Sequence, residues 1–336
     1  MLYTLIHSVF LFCIAFFVSV IIAPICIKFL ERLKAKQTTN EYVDFHVKKS
    51  GTVSMGGIIF ILSTIITSFI FVKGLNEYVF VSVIFTCLFG LVGFIDDLKK
   101  AISHKNDGLK PWQKIVMQVL FSTFLGVYLY KNGLTKLNFP FINFTLDLGF
   151  FVIFFAIIFT VFMTNSVNLT DGLDGLASSI TTTVACLFGV FLGLKSLLLN
   201  FENSFFAENM LNLVYFLEIF SGAVFGFILY NFFPAKIFMG DTGSLALGGM
   251  LATVSLITGD AIYLLIFGVM FVLTSLSTII QVAYYKLTKK RIFLMAPFHH
   301  HLEKKGIHET KIVIIYFSIT LIISLLTIFL EFLEFI

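Results

Sequence analysis

Residues 149–194 read GFFVIFFAIIFTVFMTNSVNLTDGLDGLASSITTTVACLFGVFLGL, an apolar run, a polar segment and a second apolar run. An apolar run of about 20 residues is long enough to cross the hydrocarbon core of a bilayer as a helix. Aspartate is costly at the edge of hydrocarbon and is rarely found there without a task. The stretch therefore predicts two membrane helices joined by a functional polar segment.

The same pattern extends over the whole chain of 336 residues, of which 58% are hydrophobic and only 12% are charged. Soluble domains carry about 25% charged residues, so this composition predicts an integral membrane protein. The sequence predicts a single domain over residues 1–336, an all-α polytopic membrane protein with about ten transmembrane helices. The apolar runs are 5–27, 52–72, 78–95, 113–130, 149–165, 175–194, 211–231, 244–258, 261–284 and 312–333.

Lysine and arginine predict the orientation of the bundle. Nineteen of the 23 Lys and Arg residues lie in or beside the connections that follow odd-numbered helices. The other four are Lys73, Lys131, Lys136 and Lys195. Because cytoplasmic connections carry an excess of Lys and Arg, the odd-numbered connections are expected in the cytoplasm and both termini on the periplasmic or extracellular side.

Five polar segments fall on the predicted cytoplasmic face: residues 46–57, 94–100, 165–177, 231–243 and 295–303. Together they bring aspartates, three adjacent histidines and several lysines to one side of the membrane. This convergence predicts an enzyme whose substrate is a polyanion that needs a metal. For each segment, an interfacial turn of purely structural role is the alternative.

Asp96 and Asp97 lie at the end of the third apolar run. Adjacent residues of a helix point about 100° apart, so two neighbouring carboxylates seldom share one ligand equally. One is expected to face the bundle interior as a general base or metal neighbour. The other is expected to brace a lysine or a backbone group.

Asn168, Asp171 and Asp174 follow each other at intervals of three residues. If the segment is helical, this spacing places all three side chains on one face. The two Asp-Gly steps favour turns instead. Both readings place amide and carboxylate groups at the membrane edge.

Asp241 lies between small residues in the segment Phe238-Met-Gly-Asp-Thr-Gly. A carboxylate there is a candidate ligand of Mg²⁺, which takes few protein carboxylates and completes its octahedron with phosphate and water oxygens. It is equally a candidate N-cap of a helix that begins at Ser244. Asn231 is expected to be an amide partner of Asp241.

The histidines His299, His300 and His301 are adjacent, whereas zinc sites prefer spaced ligands. One or two of them are therefore expected to hydrogen-bond a phosphate or a sugar, with the third structural. Lysines are the candidate phosphate ligands, although a lysine beside a membrane is also a common anchor to anionic lipid. These lysines are Lys49, Lys99, Lys100 and Lys114.

Other classes of function fit less well. The chain contains neither a GxxxxGK[ST] phosphate loop nor a GxGxxG fingerprint, and its net charge of +4 predicts no nucleic-acid partner. A secondary transporter would place ionisable groups near the middle of the membrane, whereas the acids here cluster at one face. A membrane scaffold with polar interfacial turns is the remaining alternative.

Three motifs carry a resemblance to a known family: NSVNLTDGLDGLA at 165–177, FMGDTGSLALGG at 238–249 and MAPFHHHLE at 295–303. In this order they resemble the phospho-N-acetylmuramoyl-pentapeptide transferases, of the polyprenyl-phosphate N-acetylhexosamine-1-phosphate transferase superfamily. The resemblance implies an enzyme of the bacterial cytoplasmic membrane with ten helices and a cytoplasmic Mg²⁺ site. The implied reaction moves phospho-MurNAc-pentapeptide from UDP-MurNAc-pentapeptide to undecaprenyl phosphate, giving lipid I and UMP.

The resemblance also implies roles for individual residues. By motif position, Asp96 is the base that deprotonates the lipid phosphate, with Asp97 beside it, and Asp241 binds Mg²⁺. The other implied contacts are Lys49, Asp174 and Phe238 to uracil, Asn168, Asp171 and Asn231 along the nucleotide-sugar cleft, Lys114 near the phosphates, and His299 and His300 to substrate or within their loop.

Several points stay open at this stage. The chain departs from the family pattern at Val53 and Ser54, which replace Pro and Thr, at Asp107, which replaces Lys, and at Thr274, which replaces Glu. A sister enzyme that uses UDP-N-acetylglucosamine shares the same scaffold. The sequence does not choose between one-step transfer and a two-step route through an aspartate nucleophile, nor between a monomer and a homodimer.

Overall fold

The structure, a computed structural model, describes residues 2–33, 52–72, 76–103, 108–142, 144–198 and 204–333. Within these residues the chain forms twelve α-helices and one small antiparallel hairpin. The helices α1 to α12 are Leu2–Arg32, Gly57–Phe71, Glu77–Ser103, Pro111–Lys131, Val152–Thr170, Leu176–Leu198, Ser204–Asn231, Gly240–Ile257, Ala261–Phe267, Val269–Thr288, Phe298–Lys304 and Glu309–Glu331.

The hairpin is the only pair of β-strands in the described residues. Its strands β1 (Lys136–Asn138) and β2 (Thr145–Asp147) lie between α4 and α5. Their sequences, KLN and TLD, are too short to show an alternating pattern against the apolar helices on either side. The predicted all-α class is otherwise confirmed.

Among the described residues, seven helices are long and apolar enough to cross a membrane: α1, α3, α5, α6, α7, α10 and α12. The ten predicted apolar runs fall mainly on helices, although the run at 52–72 begins five residues before α2 and the run at 261–284 is divided between α9 and α10. The seven helices are identified by length and composition alone. Ten membrane crossings and the cytoplasmic orientation of the site therefore stay predictions.

Helix α8 forms the centre of the bundle. Every residue from Thr242 to Ile257 is buried, and α3 and α5 pack along it. Small residues let the neighbouring backbones approach: a Cβ on Gly248 would overlap Thr164 of α5, and one on Gly249 would overlap Phe89 of α3. Because protein rather than lipid surrounds α8, its sequence needs less apolar character than a lipid-facing span.

The ninth apolar run is not one helix. The predicted helix over residues 261–284 is wrong, because the chain breaks at Gly268 between α9 and α10. Gly268 has φ −89° and ψ 27°, outside the helical range. Glycine carries no Cβ and tolerates such a conformation at low cost, so a single residue redirects the chain here.

The hairpin packs at the end of the bundle where α8 finishes. The Asn138 backbone N–H donates to the Gly259 carbonyl at 2.8 Å, and its Nδ2 donates to Asp260 Oδ1 at 2.9 Å. Lys195 Nζ lies 2.5 Å from the same Asp260 oxygen, which is fully buried. The opposite end of α8 lies about 27 Å away, at 1.5 Å per residue.

Lys195→Met should destabilise the protein by roughly 3 to 5 kcal/mol, because it leaves the buried Asp260 carboxylate without its cation. The measurement is the free energy of unfolding in detergent. Lys136→Met is the matched control, since Lys136 is exposed on the hairpin, and it should change stability by less than about 0.5 kcal/mol. Equal effects of the two substitutions would show that the pair does not stabilise this end.

Candidate active site

Three carboxylates meet at the other end of the bundle. Asp96 and Asp97 lie on α3, and Asp241 lies in the first turn of α8. One oxygen from each lies within 4.8 Å of the others. The convergence predicted for residues far apart in the sequence is thus present for these three.

Asp96 is fully buried and bridges two lysines. Its Oδ2 lies 2.6 Å from Lys100 Nζ and 3.0 Å from Lys114 Nζ. Its Oδ1 accepts a hydrogen bond of 2.6 Å from the Leu109 backbone N–H. Helix α3 continues to Ser103, beyond the predicted end at residue 95, and these two extra turns bring Lys100 over the acidic cluster.

Asp97 caps helix α8 from a different helix. Its Oδ1 accepts from the Asp241 backbone N–H at 3.2 Å, and its Oδ2 accepts from the backbone N–H and hydroxyl of Thr242 at 2.9 and 2.7 Å. These N–H groups have no partner inside α8, and a negative charge at a helix N-terminus is favourable. Helix α8 begins at Gly240, so the prediction that Asp241 caps a helix from Ser244 is wrong.

Two glycines let α3 approach the start of α8. A Cβ on Gly93 would overlap the backbone of Asp241 and Thr242. Gly240 has φ +72°, which favours glycine, and a Cβ there would lie 2.5 Å from Asp97 Oδ2. The site is therefore held by direct helix-to-helix contact.

Asp241 contacts two lysine ammonium groups and one side-chain amide. Its Oδ2 contacts Lys114 Nζ and lies 3.1 Å from Lys100 Nζ. Its Oδ1 accepts a hydrogen bond of 2.9 Å from Asn168 Nδ2, which also lies 2.8 Å from the Ser244 hydroxyl. The amide partner of Asp241 is thus Asn168 of α5, and the prediction of Asn231 in that position is wrong.

The segment with Asn168, Asp171 and Asp174 is part helix and part turn. Asn168 lies on α5, which ends at Thr170, and Asp171 is its C-cap residue. Burial of the Asp171 carboxyl, and then the nearby carboxylates of Asp241, Asp97 and Asp174, raise its pKa well above the ordinary value. Because α5 ends at Thr170, the chain after residue 170 forms the turn that the Asp-Gly steps favour rather than a continued helix.

Asp174 and Asn231 hold the loop between α7 and α8. Asp174 Oδ2 accepts a hydrogen bond of 3.0 Å from the Ala235 N–H, and the Asp174 N–H donates to Glu309 Oε1 at 2.5 Å. Asn231 Nδ2 donates to the Ile237 carbonyl at 3.1 Å. Both predicted site residues are nearly fully buried and contact the protein backbone here.

The adjacent histidines lie on the short helix α11, residues Phe298–Lys304. His299 is fully buried, and its ring lies so close to Gly172 that any Cβ there would collide with it. His300 Nδ1 lies 2.6 Å from Glu303 Oε2. His301 Nδ1 accepts a hydrogen bond of 3.1 Å from the Leu294 N–H. One histidine thus faces the Asp-Gly turn, while His301 holds its own loop.

The remaining predicted positions are spread around this cluster. Phe238 is half-buried, and its backbone N–H donates to the Val53 carbonyl at 2.8 Å, which joins the loop before α8 to the chain before α2. Thr274 is buried on α10 and its hydroxyl donates to the Met270 carbonyl at 2.7 Å. Lys49 and Asp107 lie outside the described residues.

Lys100, one of the predicted phosphate lysines, and Glu309, which was not predicted, also belong to this region. Lys100 contacts all three carboxylates of the cluster, at 2.6 Å from Asp96, 3.8 Å from Asp97 and 3.1 Å from Asp241. Glu309 begins α12 and orders the turn at Asp174. Lys100 lies three residues after Asp97 on the same helix, so its proximity could be predicted, whereas Glu309 is joined to the site only by folding.

The acidic cluster can hold a metal ion. Carboxylate oxygens are ligands of hard cations such as Mg²⁺, and three of them lie within 4.8 Å of each other. Both oxygens of Asp97 already accept from the start of α8, so Asp96 and Asp241 carry the more available ligand atoms. Lys100 and Lys114 supply the positive charge that meets these two carboxylates.

Comparison with known proteins gives the class of this site. Residues 79–259, which include all three carboxylates and both lysines, match glycosyl transferase family 4. The phospho-N-acetylmuramoyl-pentapeptide-transferase of Clostridium perfringens (strain 13 / Type A) is 44% identical over 310 residues, 92% of this chain and 94% of that protein. The protein of the same name from Clostridium kluyveri is 43% identical over 327 residues, 96% of this chain and 98% of the relative.

The Clostridium novyi relative of that name is 42% identical over 316 residues, with 93% of each protein covered. The chain belongs to the family of phospho-N-acetylmuramoyl-pentapeptide-transferases. The family predicted from the three motifs is thereby confirmed. With its seven long apolar helices, the protein is an integral membrane transferase.

Proposed function

We propose that the protein transfers phospho-MurNAc-pentapeptide from UDP-MurNAc-pentapeptide to undecaprenyl phosphate, which forms lipid I and releases UMP. The observation that carries this proposal is the cluster of Asp96, Asp241, Lys100 and Lys114 at one end of the bundle. The names of the relatives support the choice of donor. The site is proposed to face the cytoplasm of a bacterial cell from its cytoplasmic membrane, where the lipid acceptor lies.

The two lysines are proposed to bind the phosphates. Phosphoryl transfer depends mainly on positioning and on neutralising charge at the phosphate oxygens. Lys100 and Lys114 are both partly exposed, with 37% and 22% of their side chains accessible, so entering phosphates can reach them. As the ammonium groups turn toward the substrate, their hold on Asp96 weakens. Asp96 is the proposed acceptor of the proton of the lipid phosphate.

Mg²⁺ is the proposed cofactor, held by Asp241 in the cluster of three carboxylates. When bound, it neutralises the charge that develops on the diphosphate during transfer. Asn168 orients Asp241 through its hydrogen bond to Oδ1, and leaves Oδ2 for the cation.

A one-step transfer fits this arrangement better than a covalent aspartyl intermediate. Asp97 is engaged at both oxygens by the first turn of α8, so it is a poor nucleophile. Asp241 is held by Asn168 and by two lysines. A phosphorylated aspartate trapped with donor alone, in the absence of undecaprenyl phosphate, would overturn the one-step route.

The remaining residues are proposed to shape the donor pocket. Lys49, Asp174 and Phe238 are assigned to the uracil end, and Asn168, Asp171 and Asn231 to the cleft between nucleotide and sugar. The contacts of Asp174 and Asn231 with the loop before α8 support an indirect part, in which they fix the position of Phe238. His299 and His300 are assigned to the substrate side of α11.

The test is UMP release by the purified full-length protein in detergent. Release is expected only when UDP-MurNAc-pentapeptide, undecaprenyl phosphate and Mg²⁺ are all present, and a chelator should abolish it until Mg²⁺ is restored. UDP-N-acetylglucosamine serves as the competing donor. Faster turnover of that donor would contradict the proposed substrate, and full activity in the chelator would contradict the metal.

A further inference from the structure

The end of α10 leaves the bundle. Every residue from 282 to 292 is exposed, and this stretch includes the last two turns of the helix. Leu287 is 86% exposed, and Val282 and Tyr285 are 48% and 46% exposed. A helix that is apolar and exposed on all sides needs surroundings that are themselves apolar.

Four cations lie within the same stretch: Lys286, Lys289, Lys290 and Arg291. Throughout the part of the chain that the structure describes, no carboxylate oxygen lies within 4.0 Å of any of their charged nitrogens. Their positive charge is therefore not balanced by the described acids, in contrast to Lys100 and Lys114. It is available to an external polyanion.

The segment after α10 has a defined conformation. Lys289 adopts a left-handed conformation with φ 57° and ends the helix. Gln281 Oε1 then accepts hydrogen bonds from the backbone N–H groups of Ile292 at 3.1 Å and Phe293 at 2.8 Å. This turn leaves Ile292 exposed beside the four cations.

We propose that residues 282–294, here called the basic turn, bind the headgroups of anionic phospholipids. Lys and Arg at such a surface keep their charges at the phosphates and lay their aliphatic stems on apolar neighbours. Tyr284 and Tyr285 suit the same depth, because tyrosine is enriched at membrane interfaces. A soluble polyanion would satisfy the cations but would leave Leu287, Ile292 and Leu294 in water.

The basic turn lies on the same end of the protein as the acidic cluster. It runs directly into α11, whose first residue donates its backbone N–H to Ser277 Oγ of α10 at 3.0 Å. His299 of α11 in turn packs against Gly172. A lipid surface bound here would therefore lie beside the histidine helix. This binding needs no assumption about the reaction catalysed.

The experiment reports lipid at residue 287 itself. Trp112→Phe removes the single tryptophan of the chain, and Leu287→Trp places a fluorophore in the basic turn. The protein is reconstituted in bilayers that contain either a brominated anionic phospholipid or a brominated zwitterionic one at the same fraction. Stronger quenching by the anionic lipid is expected, since each cation near an anionic surface strengthens association about fivefold.

Substitutions separate charge at the basic turn from charge elsewhere. Lys286→Gln, Lys289→Gln and Lys290→Gln together should lower the preference for anionic lipid about a hundredfold, which leaves only the roughly fivefold preference due to Arg291. The matched control, Lys110→Gln, Lys236→Gln and Lys305→Gln, removes equal charge from exposed residues outside the turn and should keep the preference. Equal quenching before substitution, absence of quenching, or loss of preference in the control would overturn the proposal.

Discussion

Asp241→Asn should lower the rate of UMP release by about a thousandfold without unfolding the protein. The carboxylate meets both lysines of the site and carries the proposed metal ligand atom, and an amide cannot supply its charge. The fold should persist because asparagine has nearly the same shape and its Oδ1 can still accept from Asn168. The measurement is turnover at saturating donor, acceptor and Mg²⁺, together with the unfolding temperature.

Asp147→Asn is the control for Asp241→Asn. Asp147 lies on the exposed hairpin at the opposite end of the bundle, so its substitution should leave turnover unchanged. If the protein were instead a membrane scaffold with polar interfacial turns, both Asp241→Asn and Asp147→Asn would retain its function. Wild-type turnover by Asp241→Asn would therefore remove the acidic cluster from the proposed reaction.

The helices were predictable because each apolar run is decided by local composition. Contacts between residues far apart in the chain depend on how the helices pack, which local composition does not predict. The motif at Asp241 predicted a carboxylate at the start of a helix, but the group that caps this helix is Asp97, on a helix that ends 137 residues earlier. A cap supplied by another helix leaves no signal in the spacing of the capped segment.

The wrong prediction of Asn231 as the amide partner of Asp241 also arose because the true partner, Asn168, comes from another helix. Asn231 is closer to Asp241 in sequence, whereas Asn168 reaches it because α5 packs along α8. Sequence proximity therefore favoured the wrong amide. By contrast, the turn after residue 170 was one of two predicted readings, because the Asp-Gly steps act locally.

The break at Gly268 shows a limit of hydropathy. Residues 261–284 are apolar on both sides of the break. One glycine is enough to change the direction of the helix, so the break leaves the hydropathy of the run almost unchanged. The sequence likewise gives no pattern that predicts the hairpin between α4 and α5. It is held by long-range contacts to Gly259 and Asp260 rather than by strand propensity.

The adjacent carboxylates of α3 should respond oppositely to the same substitution. Asp96→Asn should lower turnover by about a hundredfold, because the charge that faces both lysines and the proposed proton acceptor are lost. Its effect on stability should be limited, since the asparagine oxygen still accepts from the Leu109 N–H and the two partly exposed lysines can turn away from the new amide N–H₂ while they keep Asp241. Turnover and unfolding temperature are measured on the same preparation.

Asp97→Asn should instead destabilise the protein by about 1 to 3 kcal/mol. A single amide oxygen cannot accept from the N–H groups of both Asp241 and Thr242 as the two carboxylate oxygens do. The added amide N–H₂ would also face the positive end of the α8 dipole. If Asp97→Asn left the unfolding temperature unchanged while Asp96→Asn lowered it, the roles assigned to the two aspartates would be reversed. Asp97 would then be the residue that acts on the substrate.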